Sequence, residues 1–225
     1  MNIQIAKAIF LLTISLLLCQ DIAAQIDTGE TKVRNIIATT PVNRNTVING
    51  LAIGLIARSW QSDYFLEING VNIDVLPLGA FAGFLAVFGT IFAPLNMKKD
   101  DDILYSFSDK SDIETIISGF SFSVGGLLRN IHCSGVGVNG AVSFAESGSG
   151  VEITGLMNLH YDFEGVMFAG LRNKSTKCSG VQIGLINTCR EGNVVQIGLI
   201  NRINKRVIPF VNFQFKKKVK RLKDS

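Results

Sequence analysis

Residues 135 to 140 read GVGVNG, a match to the GxGxxG pattern. That pattern cradles a dinucleotide pyrophosphate only where it closes a strand and opens a helix, with an acidic residue some way on. Here strand-like segments flank it on both sides, so no phosphate site is expected. The chain has two histidines, His132 and His160, and neither sits at metal-ligand or triad spacing. Both lie next to boundaries of the repeats described below, and both read as turn or rim residues. Asp100, Asp101 and Asp102 are acidic enough for weak calcium binding. They lack the spaced oxygen donors of a dedicated loop and read as solvated charge. No GxSxG, HExxH or Walker-type loop occurs. Trp60, Tyr64 and Phe65 suit a membrane-interface anchor or the cap of a core equally well. No catalytic, cofactor-binding or metal-binding residue is assigned, no cofactor is expected, and the chain does not read as an enzyme.

Thiol chemistry depends on what brings the cysteines together. Cys19 lies in an N-terminal apolar stretch; Cys133, Cys178 and Cys189 lie beyond it, and three thiols cannot all pair within one chain. Cys178 and Cys189 bracket one repeat. On a straight strand they sit roughly 35 Å apart, at about 3.3 Å per residue, and cannot bond. If each repeat is one coil of a parallel solenoid, the chain doubles back and can bring them close.

The elements that would position these groups repeat. Residues 180 to 187 read GVQIGLIN and residues 194 to 201 read VVQIGLIN. Looser copies begin at Gly119, Gly135, Gly150 and Gly165, giving intervals of 16, 15, 15, 15 and 14. A short fixed period marks an array of like units. Apolar residues recur at every second position, which argues for strands and against helices. Read as one strand, the octet puts Val181, Ile183, Leu185 and Asn187 on one face and Gly180, Gln182, Gly184 and Ile186 on the other. In the fifteen-residue units an extra residue near Gly140, Gly155 or Gly170 reads as a β-bulge. One unit buries too little to offset the entropy of its own ordering, so neighbours must share hydrogen bonds and apolar faces.

Residues 1 to 25 read as a secretory signal, with Lys7, an apolar run from Ala8 to Leu18 and small residues before a cut near Ala24. A lipid anchor through Cys19 is an alternative, disfavoured because Leu18 is not small. Residues 26 to 46 read as irregular with one early strand. Residues 47 to 215 form a single β-repeat domain, with outlying copies at Ile48–Ala57 and Ile68–Leu76 and a last strand at Arg206–Phe215. The apolar stretch Leu78–Pro94 reads as a β segment, Met97–Asp102 as a loop, Ile103–Ser108 as a short strand, and Asp109–Ser118 as holding a helical turn. Residues 216 to 225 are a basic tail. The net charge is +4, and the tail and Lys7 account for more than all of it, leaving −2 elsewhere. A nearly neutral body excludes a nucleic-acid face.

The GVQIGLIN units, the upstream INGLAIGLI and the closing IPFVNFQF resemble the surface-repeat proteins of Gram-negative bacteria, especially of Bacteroidetes type. The resemblance spans roughly Val47 to Phe215 and implies a secreted or outer-membrane protein; the leader, the repeats and the missing site chemistry add the expectation of a non-enzymatic outer-membrane or surface protein, structural or adhesive. It carries no site residues over. A periplasmic location is the alternative, and a small outer-membrane pore or ligand-carrying barrel is the second functional expectation. The fold class is all-β. The main expectation is an antiparallel meander closing into a barrel, with turns such as Thr188–Asn193 and with Val, Ile and Leu facing lipid or a core partner. The alternative is a parallel β-solenoid of 14–15-residue coils, in which Asn158, Asn173, Asn187 and Asn201 stack as a ladder.

Overall fold

The structure, a computed structural model, describes residues 31–59, 64–75, 113–128 and 130–215. The leader, the stretches Leu78–Pro94, Met97–Asp102 and Ile103–Ser108, Trp60 and the basic tail lie outside the described residues.

Among the described residues, eleven strands make one sheet: β1 (Lys32–Val42), β2 (Thr46–Ser59), β3 (Leu66–Asp74), β4 (Thr115–Ser123), β5 (Gly126–Leu128), β6 (Ile131–Asn139), β7 (Val142–Thr154), β8 (Met157–Ala169), β9 (Arg172–Ile183), β10 (Ile186–Ile203) and β11 (Arg206–Gln214). Every pairing is parallel except the closing β10–β11 hairpin. Successive strands stack in sequence order, with β5 beside β7 off the main path. The fold is therefore the β-solenoid, and the antiparallel barrel is not what the chain builds.

Two local readings change with it. The octet is not one straight strand. GVQI ends β9, Gly184 and Leu185 bend, and Ile186 and Asn187 open β10. Gly155–Leu156 and Gly170–Leu171 are bends of the same kind, so the extra residue of the longer units sits at a corner rather than in a mid-strand bulge. Thr188–Asn193, read as a turn, runs inside β10. Residues Thr115 to Ser118, read within a helical turn, belong to β4. Within 26–46, β1 makes the first rung, so the array starts before residue 47.

Each coil bends in further places. The register skips the pairs Glu146–Tyr161, Tyr161–Thr176 and Thr176–Arg190. Beyond them lies a column of glycines in register: Gly50, Gly70, Gly119, Gly135, Gly150, Gly165 and Gly180. All have φ between 110° and 140°, a region that L side chains rarely enter. A Cβ at Gly180 would lie 1.9 Å from the carbonyl oxygen of Gly165 in the coil before. At β10 the register partner is Val194, and the positive φ moves to Gly192.

A parallel, in-register stack repeats each side chain one rung away, about 4.8 Å along the axis. Amides exploit that spacing. Asn158 Nδ2 donates to Asn173 Oδ1 at 2.9 Å, Asn173 to Asn187 at 2.9 Å, and Asn187 to Asn201 at 2.8 Å. All four amides also donate to backbone carbonyls, so the buried ladder has few idle donors. An antiparallel meander reverses every second unit and cannot build it.

One buried carboxyl gives a pH prediction. Asp74 ends β3 and accepts a hydrogen bond from Asn72 Nδ2 at 2.9 Å. Burial raises its pKa from 3.8 to about 6, against the hydrogen bonds that lower it. The folded chain thus holds a proton that the unfolded chain has lost between these values. Stability should rise as pH falls from 7 through 6 toward 4. Asp74→Asn keeps the acceptor oxygen and removes the charge. It should raise urea-unfolding stability at pH 7 by about 2–3 kcal/mol, at about 1.4 kcal/mol per pKa unit. It should also flatten that part of the pH profile.

Candidate functional surface and polar interior

The alternation along the strands sorts side chains into two faces. On the segments that follow the glycine column the apolar face turns outward, while on the segments before it Ile48, Leu66, Ile68 and Ile117 form an apolar core inside. One outer column runs Leu51, Val71, Phe120, Val136, Val151, Val166, Val181 and Val195 in register. A second runs Ile53, Ile73, Phe122, Val138, Ile153, Phe168, Ile183 and Ile197. These side chains are half-buried to exposed: Ile153 is 43% exposed, Phe168 46% and Ile197 45%. The column between them, which faces inward, contains Asn72, Ser121, Glu152, Met167, Gln182 and Gln196, all essentially buried. Gln196 Nε2 donates to Gln182 Oε1 at 2.7 Å, and Gln182 Nε2 donates to Ser175 Oγ at 3.0 Å across the interior. Large contiguous apolar faces are uncommon on monomeric soluble proteins. In β11, Val211 and Phe213 are exposed and Asn212 between them is buried, as the alternation anticipates, but Phe210, which shares the Asn212 face by that reading, has a φ of 65° and is exposed as well.

The interior also holds a carboxyl–imidazole pair that the sequence reading missed. Glu152 of β7 and His160 of β8 are both buried, with Nε2 and Oε2 2.9 Å apart. Asn139 Nδ2 donates to the other carboxylate oxygen at 3.0 Å. Burial works against ionisation of Glu152. The adjacent His160 and the hydrogen bonds outweigh it and hold the carboxyl below its ordinary value. His160 is therefore an interior residue and not a rim residue; its edge packs against Phe163. Glu152 occupies the position that Gln182 and Gln196 occupy in later coils. That equivalence was the available signal.

His132 lies half-buried in β6, with Nδ1 2.6 Å from Ser147 Oγ on the next coil. Ser147 continues in register to Asp162, Lys177 and Glu191, a polar column at one bend. GVGVNG falls in β6 and the bend after it, and the next element is β7, not a helix. Tyr64 and Phe65 precede β3, and the Phe65 backbone N–H donates to Asn45 Oδ1 at 2.8 Å. Among the described residues, no group of three or more His, Cys, Asp and Glu is placed to hold a metal ion. Among them, too, no helix is long and apolar enough to cross a membrane.

All three described cysteines are free and buried. Burial, reinforced by Glu152, pushes the Cys133 thiol up to about 12. Cys178 and Cys189 share one buried cluster with Phe163, Met167, Val194 and Ile203.

No family model, no curated protein and no solved structure matches this chain. The functional reading therefore rests on the solenoid itself.

Proposed function

We propose that this chain is a non-enzymatic, exported surface-repeat protein with a structural or adhesive role at the outer membrane or cell surface. The carrying observation is the outward apolar face, two parallel columns running from β2 to β10. Amide ladders together with the apolar core inside the coils support the solenoid without burying that face. The outer side chains are thus free to bury against a partner at about 25 cal/mol per Å². The leader-like residues 1–25 and the resemblance to Bacteroidetes-type repeats point to the same location. The pore reading relied on a closed antiparallel barrel, and no observation now favours it.

Fractionation tests the proposal. The mature protein should sediment with outer-membrane or surface material and be released by detergent. Recovery as a soluble periplasmic monomer would overturn the reading. The double variant Ile153→Lys, Phe168→Lys should shift the protein severalfold toward the soluble fraction. Its circular dichroism should stay unchanged, because neither side chain supports the interior. Unchanged partitioning of a folded variant would remove the apolar face from the explanation.

A further inference from the structure

We propose that Cys178 and Cys189 form an oxidisable dithiol, a disulfide site built across one bend of the solenoid between β9 and β10. The register carries the argument. Cys189 stacks on Ser175, and Gly192 stacks on Cys178. Ser175 and Cys178 flank the bend at Thr176, and both point inward. Cys178 and Cys189 thus lie diagonally on adjacent rungs, facing the same small volume among Phe163, Met167 and Val194. The Cys189 thiol donates to the Glu191 carbonyl oxygen at 3.3 Å, which holds its sulfur at this bend. Twelve residues of chain that would hold the sulfurs far apart on a straight strand are folded back by the coil. Gly192 helps, because a side chain there would strike the Cys178 carbonyl.

The pair is also asymmetric. The neighbouring Cys189 outweighs burial and holds the Cys178 thiol below its ordinary value, while Cys178 and burial push the Cys189 thiol up. A shallow groove lined by Asp162, Lys177, Ser179, Glu191 and Asn193 opens beside Cys178. Cys178 is therefore the attacking sulfur. With a low-molecular-weight disulfide as oxidant, the Cys178 thiolate attacks one sulfur and expels one small thiolate. Cys189 gives its proton to that thiolate, attacks the Cys178 sulfur and expels the second. The two protein thiols lose two hydrogens, and the oxidant becomes two thiols. Cys133 has no such neighbour in its cluster and serves as the internal control.

The test uses the full chain. Folded protein is incubated with oxidised glutathione, quenched with acid, unfolded, alkylated and cut with trypsin. Lys177 and Arg190 bound one tryptic peptide, Cys178–Arg190, that contains both sulfurs. That peptide should appear unalkylated and lighter by two hydrogens, and Cys133 should be alkylated. The intramolecular product should exceed any Cys133-linked product by about tenfold or more, a preference lost when oxidation is done in urea. Cys133→Ser should leave the result unchanged, and Cys178→Ser should abolish it. Full alkylation of Cys178–Arg190, links to Cys133, or the same product ratio in urea would each overturn the proposal. Cys133→Ser keeps the test decisive if Cys178→Ser does not fold.

Discussion

Gly165→Ala is expected to cost about 3–5 kcal/mol, a large part of the 5–15 kcal/mol that holds a typical domain together. Gly165 has a φ of 134°. Backbone of that kind costs a residue with a side chain about 1–3 kcal/mol. The new Cβ would also lie 2.0 Å from the Gly150 carbonyl oxygen and 2.9 Å from the Gly150 carbonyl carbon and nitrogen. Those atoms belong to the coil above and cannot yield without breaking its ladder, so overpacking adds about 1–3 kcal/mol. Gly165 lies mid-array, where neither end can fray to relieve it. Gly137→Ala is the matched control. Its Cβ would sit 3.6 Å from Glu152 Cγ, an ordinary contact, and its φ is not in the positive region. That substitution should stay within about 1 kcal/mol of the parent. Urea unfolding followed by circular dichroism compares the two. Equal behaviour would mean that the glycine column does not hold the rungs in place.

His160→Ala should rank next, at about 3–5 kcal/mol, because it strands the Glu152 carboxylate in the interior. Glu152→Gln should cost less. The glutamine keeps an acceptor for Asn139 and carries no charge, so the double variant should recover much of the loss. The pH dependence separates charge from packing. The Glu152 carboxyl is held below its ordinary value of 4.5 in the folded chain. Its contribution is present above that value and is lost as pH falls through the folded pKa. In His160→Ala the main attraction is gone and burial dominates, so the carboxyl takes up a proton at higher pH. The penalty of His160→Ala should therefore shrink on acidification, whereas a simple cavity would cost the same throughout. A pH-independent penalty would count against the buried pair as a charge pair. This titration runs opposite to that of Asp74, which gains stability as pH falls from 7 toward 4. Asp74→Asn and His160→Ala should thus alter different parts of the acid profile.

Much of the site was legible at the level of pairs and not at the level of space. Asn158, Asn173, Asn187 and Asn201 recur at the repeat interval, and their ladder follows once coils stack in parallel. The approach of Cys178 to Cys189 follows from the same condition. Glu152 and His160 were harder to foresee. They are eight residues apart, on either side of the bend at Gly155–Leu156, and a local pattern does not reveal a partner across a coil. His160 read as a rim residue because it lies near a repeat boundary. In the solenoid those boundaries are bends within a coil, and their inward positions are as buried as any strand.

From the chain alone came the repeat, its β character, the glycine punctuation and the alternation of Val181 and Ile183 with Gln182; Asn187, read on the valine face, is buried because the bend at Gly184–Leu185 shifts the alternation. Period-two alternation determines which residues share a face. It is symmetric between the two faces and blind to strand direction, so it leaves open which face turns inward and whether neighbours run parallel. Tertiary structure decided both. A bend at Gly184–Leu185 within the octet lets each unit close on itself and the next unit start in the same direction. Identical amides then fall one rung apart and bond to one another, which lets an amide-lined strip share the interior with the apolar core of Ile48, Leu66, Ile68 and Ile117 and leaves the Val181 and Ile183 columns outside.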